Sequence, residues 1–119
     1  MGYESRLFVV NKTDTKDERG TWCEVIATYN LCVVDNNVLQ KILKHPDSDN
    51  YVLEGDKYAH EDKYGKPLKE IPLENMITIL QDAVNESDYR RYPACLAMLQ
   101  AFKTQETVWD NLVVLHYGY

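Results

Sequence analysis

Two short apolar runs constrain the fold of this chain more than any other feature: Leu7-Phe8-Val9-Val10 near its start and Leu112-Val113-Val114-Leu115 near its end. Both are rich in β-branched side chains, the pattern of a strand buried on both faces. Neither suits a sheet edge, where its unpaired N–H and C=O groups would template aggregation. The two runs are therefore expected to pair in the middle of one sheet, bringing the ends of the chain together.

The residues between them supply the remaining elements. Lys12 to Gly20 is charged and ends in glycine, so it reads as an exposed connection. Thr21 to Thr28 alternates as a strand, with Cys23, Val25, Ala27 and Tyr29 on the core face, and a bulge is expected near Asn30, where the alternation fails. Asp35, Asn36 and Asn37 can cap a short helix through Val38, Leu39, Ile42 and Leu43, which Pro46 stops. Short strands follow at Tyr51 to Leu53, Lys57 to His60 and Leu68 to Ile71, with a turn at Glu54-Gly55-Asp56.

Pro72 then precedes an apolar stripe of Leu73, Met76, Ile77, Leu80 and Val84, and a second stripe runs through Tyr92, Cys95, Leu96, Leu99 and Phe102. The expected architecture is one α+β domain over residues 1–119. It is an antiparallel sheet with the N- and C-terminal strands central, a two-helix hairpin at 73–86 and 89–103 on one face, and one short helix.

Charge narrows the choice of partner. Thirteen basic residues are interspersed among 19 acidic ones, for a net charge of −6, which argues against direct binding of nucleic acid through a basic patch. No apolar run is long enough to span a membrane and no basic, apolar leader opens the chain, so a cytoplasmic location is expected. Cys23, Cys32 and Cys95 form an odd set without metal spacing and read as reduced thiols.

Catalytic motifs are weak. There is no Gly-rich phosphate loop and no H-E-x-x-H, and the Asp47 to Tyr58 stretch fails as a calcium loop because Val52 and Tyr58 stand where Gly and Glu are needed. His60-Glu61-Asp62 reads as a solvated loop, since neighbouring residues of an extended chain point apart. No catalytic residue, metal or cofactor is assigned. The candidate binding residues are Tyr89, Arg90, Arg91 and Tyr92, where guanidinium groups and phenols meet a helix N-terminus, together with His116, Tyr117 and Tyr119 at the last strand's end. The arginines oppose the helix dipole there, so either carboxylates of the same chain, or a partner or anionic ligand, must compensate them.

The stretches Tyr64-Gly65-Lys66-Pro67-Leu68-Lys69-Glu70-Ile71-Pro72, Tyr89-Arg90-Arg91-Tyr92-Pro93 and Val113-Val114-Leu115-His116-Tyr117-Gly118-Tyr119, with the opening Met1-Gly2-Tyr3-Glu4-Ser5-Arg6-Leu7, carry a resemblance. Together they are similar to small uncharacterised proteins encoded by bacteriophages and prophages. The resemblance implies a bacterial cytoplasm and a role in countering a host or defence protein. Two functions follow as expectations. One is a non-enzymatic interaction protein that inhibits a host or defence protein; the other is a binder of a small anionic, nucleotide-like ligand, or a minor enzyme, using Tyr89 to Tyr92 and His116.

Overall fold

The computed structural model describes residues 3–53, 57–59, 64–105, 108–109 and 111–119, and of 57–59 only the backbone. Six strands and three helices follow in the order β1 (Ser5–Asp17), β2 (Gly20–Cys32), α1 (Asn36–Leu43), β3 (Tyr51–Leu53), β4 (Lys57–Ala59), β5 (Lys69–Pro72), α2 (Leu73–Glu86), α3 (Arg91–Lys103) and β6 (Leu112–Gly118). All six strands belong to one sheet of order β4-β3-β2-β1-β6-β5. The class is α+β, and the two apolar runs pair as expected, with Leu7 opposite His116 and Val10 opposite Val113. The sheet is mixed, because β3 runs parallel to β2, with Thr21 opposite Tyr51. The expected turn at Glu54-Gly55-Asp56 and the loop at His60-Glu61-Asp62 lie outside the described residues.

Strand β1 is longer than its sequence suggests. Its polar half continues from Lys12 to Asp17 and turns into β2 through Glu18 and Arg19, in place of a loop. Side chains hold this half: Thr13 Oγ1 donates to the Trp22 carbonyl at 2.7 Å, and Trp22 Nε1 donates to Asp17 Oδ2 at 2.9 Å. Gly20 takes a φ of 145° against Asn50, whose carbonyl oxygen would lie 2.0 Å from an added Cβ.

Two bulges aim the side chains of β2. Val9 faces Ala27 while Val10 faces Val25, so Ile26 is an extra residue and the inward face switches there. Cys23 and Val25 consequently pack on one side of the sheet, and Ala27 and Tyr29 on the other, which corrects the expectation that all four share a face. The second bulge is the one expected near Asn30: Arg6 faces Asn30 and Ser5 faces Cys32, leaving Leu31 over, with Cys32 at a φ of 58°.

Helices α2 and α3 cover the sheet face that carries Leu7, Val9, Ile71 and Val114. Their buried residues are Leu73, Met76, Ile79, Leu80 and Ala83 on α2 and Tyr92, Cys95 and Leu99 on α3. The α2 stripe is turned toward Ile79 and Ala83 relative to the expected one, and Ile77 and Val84 are half-buried beside it. Each of these large apolar side chains contributes about 1.5–3 kcal/mol by leaving water. On α1, Val38 and Ile42 enter the core while Leu39 and Leu43 stay half-buried.

The opposite face holds a second cluster of Val10, Cys23, Tyr51, Leu53, Leu68 and Leu115, with Phe8, Val25, Val113 and Tyr117 packed against it. The segment leading into β3 curls the sheet around this cluster. Ser48 N–H donates to the Leu68 carbonyl at 2.7 Å and Glu70 N–H to the Pro46 carbonyl at 3.0 Å, while Thr21 N–H donates to the Asn50 carbonyl at 3.1 Å. One short stretch thus bonds to β5 at one end and to β2 at the other. No described helix is long and apolar enough to cross a membrane.

Candidate functional site

The sequence marks Tyr89, Arg90, Arg91 and Tyr92, and the structure places them at the junction of α3 with the bulged end of β2. Tyr89 Oη donates to the Leu31 carbonyl at 2.6 Å, and Arg91 Nη1 donates to the Asn30 carbonyl at 2.8 Å. Tyr29 Oη donates to the Arg91 carbonyl at 3.0 Å. Tyr92 is fully buried; its phenol oxygen accepts from Asp35 N–H at 2.9 Å and donates to Asp35 Oδ2 at 3.1 Å. Burial pushes this phenol up to about 12. The two tyrosine rings meet edge to face with centroids 5.0 Å apart.

Three of the four side chains therefore direct their polar atoms to this chain's own backbone and to Asp35. The compensation for Arg91 at the start of α3 comes from a backbone carbonyl, a source outside the two expected from sequence. Arg90 is exposed.

His116, Tyr117 and Tyr119 do not join that group, because alternation along β6 divides them between faces. His116 faces the helix side, is buried, and its Nε2 shares a 2.9 Å hydrogen bond with the buried Ser5 hydroxyl. The ring of Tyr3 stacks 6.2 Å from His116 and 5.5 Å from Tyr64, giving a row of three rings from the interior to the surface. An added Cβ on Gly118 would lie 2.2 Å from the Tyr3 hydroxyl, so the bare glycine is what lets Tyr3 sit there. Beside this row lies a cavity of 560 Å³ lined by Tyr3, Leu39, Leu43, Pro67 and His116, with Lys66, Lys69 and Asp47 around it.

Tyr117 and Tyr119 point to the helix-free face. Tyr117 meets Phe8 edge to face at 6.1 Å and lies 6.4 Å from Tyr119. The Arg6 guanidinium carbon sits 4.4 Å over the Tyr119 ring. All four side chains are half-buried. Sequence reasoning missed Arg6 and Phe8 because it read their strand as buried on both faces; the alternation Arg6, Phe8 against Ser5, Leu7 was the available signal.

The two buried thiols, Cys23 and Cys95, are not activated. Burial pushes Cys95 up to about 12 and Cys23 up to about 11, the latter against the nearby Lys12 charge, so neither is a thiolate at neutral pH. Among the described residues no three His, Cys, Asp or Glu side chains are placed to hold a metal ion. No family model matches the chain, and neither a curated protein nor a solved structure matches it.

Proposed function

We propose that the chain is a non-enzymatic interaction protein that binds a protein partner through the helix-free face of its sheet. The observation that supports this most is the Arg6, Phe8, Tyr117 and Tyr119 cluster. These residue types dominate binding energy at protein interfaces, and strand backbone with ring packing already fixes their rotamers, which lowers the entropic cost of docking. An aromatic platform on a sheet also suits stacked bases, but Arg6 is accompanied by Glu4, whose carboxylate accepts from the Tyr119 hydroxyl at 3.5 Å, and the chain carries a net charge of −6. That balance favours a protein. The likeness to phage-encoded chains makes the partner a host or defence protein of a bacterial cytoplasm, which this chain inhibits by covering a functional surface.

Affinity capture from a bacterial host lysate, read by mass spectrometry, tests the proposal. The parent chain is expected to retain one cytosolic protein at near-stoichiometric yield, and the Phe8→Ser, Tyr117→Ser chain to lose it while keeping the parent's circular dichroism. Background recovery alone would count against an interaction role. Retention by the folded double variant would move the interface off this face.

A further inference from the structure

The helix-free face carries polar tips that its own strands leave without acceptors. The half-buried Arg6 guanidinium rests on the Tyr119 ring, and among the described residues no carboxylate, carbonyl or hydroxyl meets it. Its neighbours do not serve it. Asn30, opposite it on β2, gives its side-chain oxygen to the Cys32 N–H at 2.9 Å and its carbonyl to Arg91 Nη1 at 2.8 Å. Glu4, on the same face, accepts from the Tyr119 hydroxyl and forms no ion pair with Arg6. Tyr117, opposite Arg6 on β6, carries a hydroxyl that also has no hydrogen bond among the described residues. A guanidinium has five N–H donors, and a partner that closed over it without an acceptor would bury an unpaired charge.

We infer that the partner presents an extended segment with an aspartate or glutamate two positions from a large apolar residue. The carboxylate takes the Arg6 guanidinium and the Tyr117 hydroxyl, and the apolar side chain lies on Phe8. This rests on the reading of the face as the partner-binding surface and names the chemistry that the face selects. Of the acceptors a protein chain carries, a carboxylate alone both neutralises the guanidinium and matches its fork with two bonds. The spacing follows from the strand: Arg6 and Phe8 are alternate residues of β1, so their side chains leave one face about 7 Å apart, and alternate side chains of an extended segment have the same separation. Glu4 and the net charge of −6 repel acidic surfaces at large, so a single carboxylate in register with Arg6 is admitted where an acidic patch is not.

Short random peptides displayed on phage and selected on the parent chain test this. Enriched peptides are expected to carry the acid two positions from a large apolar residue. A synthetic peptide of the leading sequence should bind the parent about tenfold more tightly than the same peptide with asparagine or glutamine for the acid, through the charge-assisted pair. On an Arg6→Gln chain with the parent's circular dichroism, both peptides should bind equally and at the weaker level. Arg6→Lys keeps the charge without the fork and should restore only part of the difference. Enriched peptides without an acid, an acid at another spacing, or equal affinity of the two peptides for the parent would overturn the inference; if such peptides are still lost from the Phe8→Ser, Tyr117→Ser chain, the reading of the face stands. Peptides held equally by that folded double variant would take the face reading down as well. No enrichment would overturn the inference and leave the face to the lysate capture.

Discussion

The phenol of Tyr92 shows how a single oxygen can fix the meeting of two elements. It accepts from the backbone N–H of Asp35, the residue before α1, and donates to the same residue's carboxylate, from a fully buried position on α3. Tyr92→Phe would remove the acceptor of the part-buried Asp35 N–H bond and the donor to the Asp35 carboxylate, and a loss of about 1 kcal/mol in urea unfolding is expected. Arg90→Ala, by contrast, removes an exposed side chain and should stay within about 0.5 kcal/mol of the parent. A Tyr92→Phe chain as stable as the parent would show that water replaces the phenol. The segment stood out in the sequence because two tyrosines flank two arginines there at a helix start. Its role was not legible, because the acceptors for Tyr89 and Arg91 are the carbonyls of Leu31 and Asn30, whose positions come from the bulge at Leu31 and not from any local pattern.

Among the elements, β6 carries the most consequence for its length. Its residues pair with β1 on one side and β5 on the other, and Val114 and Leu115 lie in the two clusters on opposite faces of the sheet. Deleting residues 112–119 would open both ladders and expose both clusters, so the truncated chain is expected to show no cooperative thermal transition. A cooperative melt at the parent temperature, followed by circular dichroism, would contradict the central place of β6. This element was readable because a run that is apolar on both sides has few other places to go. Helices α2 and α3 were readable for a related reason, since their 3.6-residue stripes and Pro72 mark face and start. The rotation of the α2 stripe toward Ile79 and Ala83 was not, because the angle at which a helix meets a sheet depends on both surfaces. The polar half of β1 also escaped: Thr13 and Trp22 hold it through bonds between strands, which charge composition does not reveal.

At the scale of the whole molecule, the sheet is drawn into a curl by one segment that no periodicity marks. Pro46 bonds to β5 and Ser48 to Leu68 just before it, Asn50 bonds to β2, and β5 and β2 are separated in the sheet by β6 and β1. Joining them bends the sheet around the second cluster and occupies backbone groups of β5 that an open sheet would leave at its edge. A side-chain strut crosses the same gap. The Tyr51 hydroxyl donates to Glu70 Oε1, and Lys12 Nζ lies 3.4 Å from Glu70 Oε2. Burial, reinforced by the Glu70 carboxylate, holds the Tyr51 phenol well above its ordinary range, so it is a donor at neutral pH. Tyr51→Phe keeps the ring in the cluster and removes only the strut. It is expected to lower stability by about 1–2 kcal/mol. Hydrogen exchange gives the sharper reading: if the segment closes the sheet as one unit, the amides of Thr21, Ser48 and Glu70 should accelerate together in the variant, while those of Val9 and Val114 keep their protection. Acceleration at Ser48 and Glu70 without Thr21 would mean that the two attachments open independently, and that the curl is held by the cluster beneath it and not by the segment that spans it.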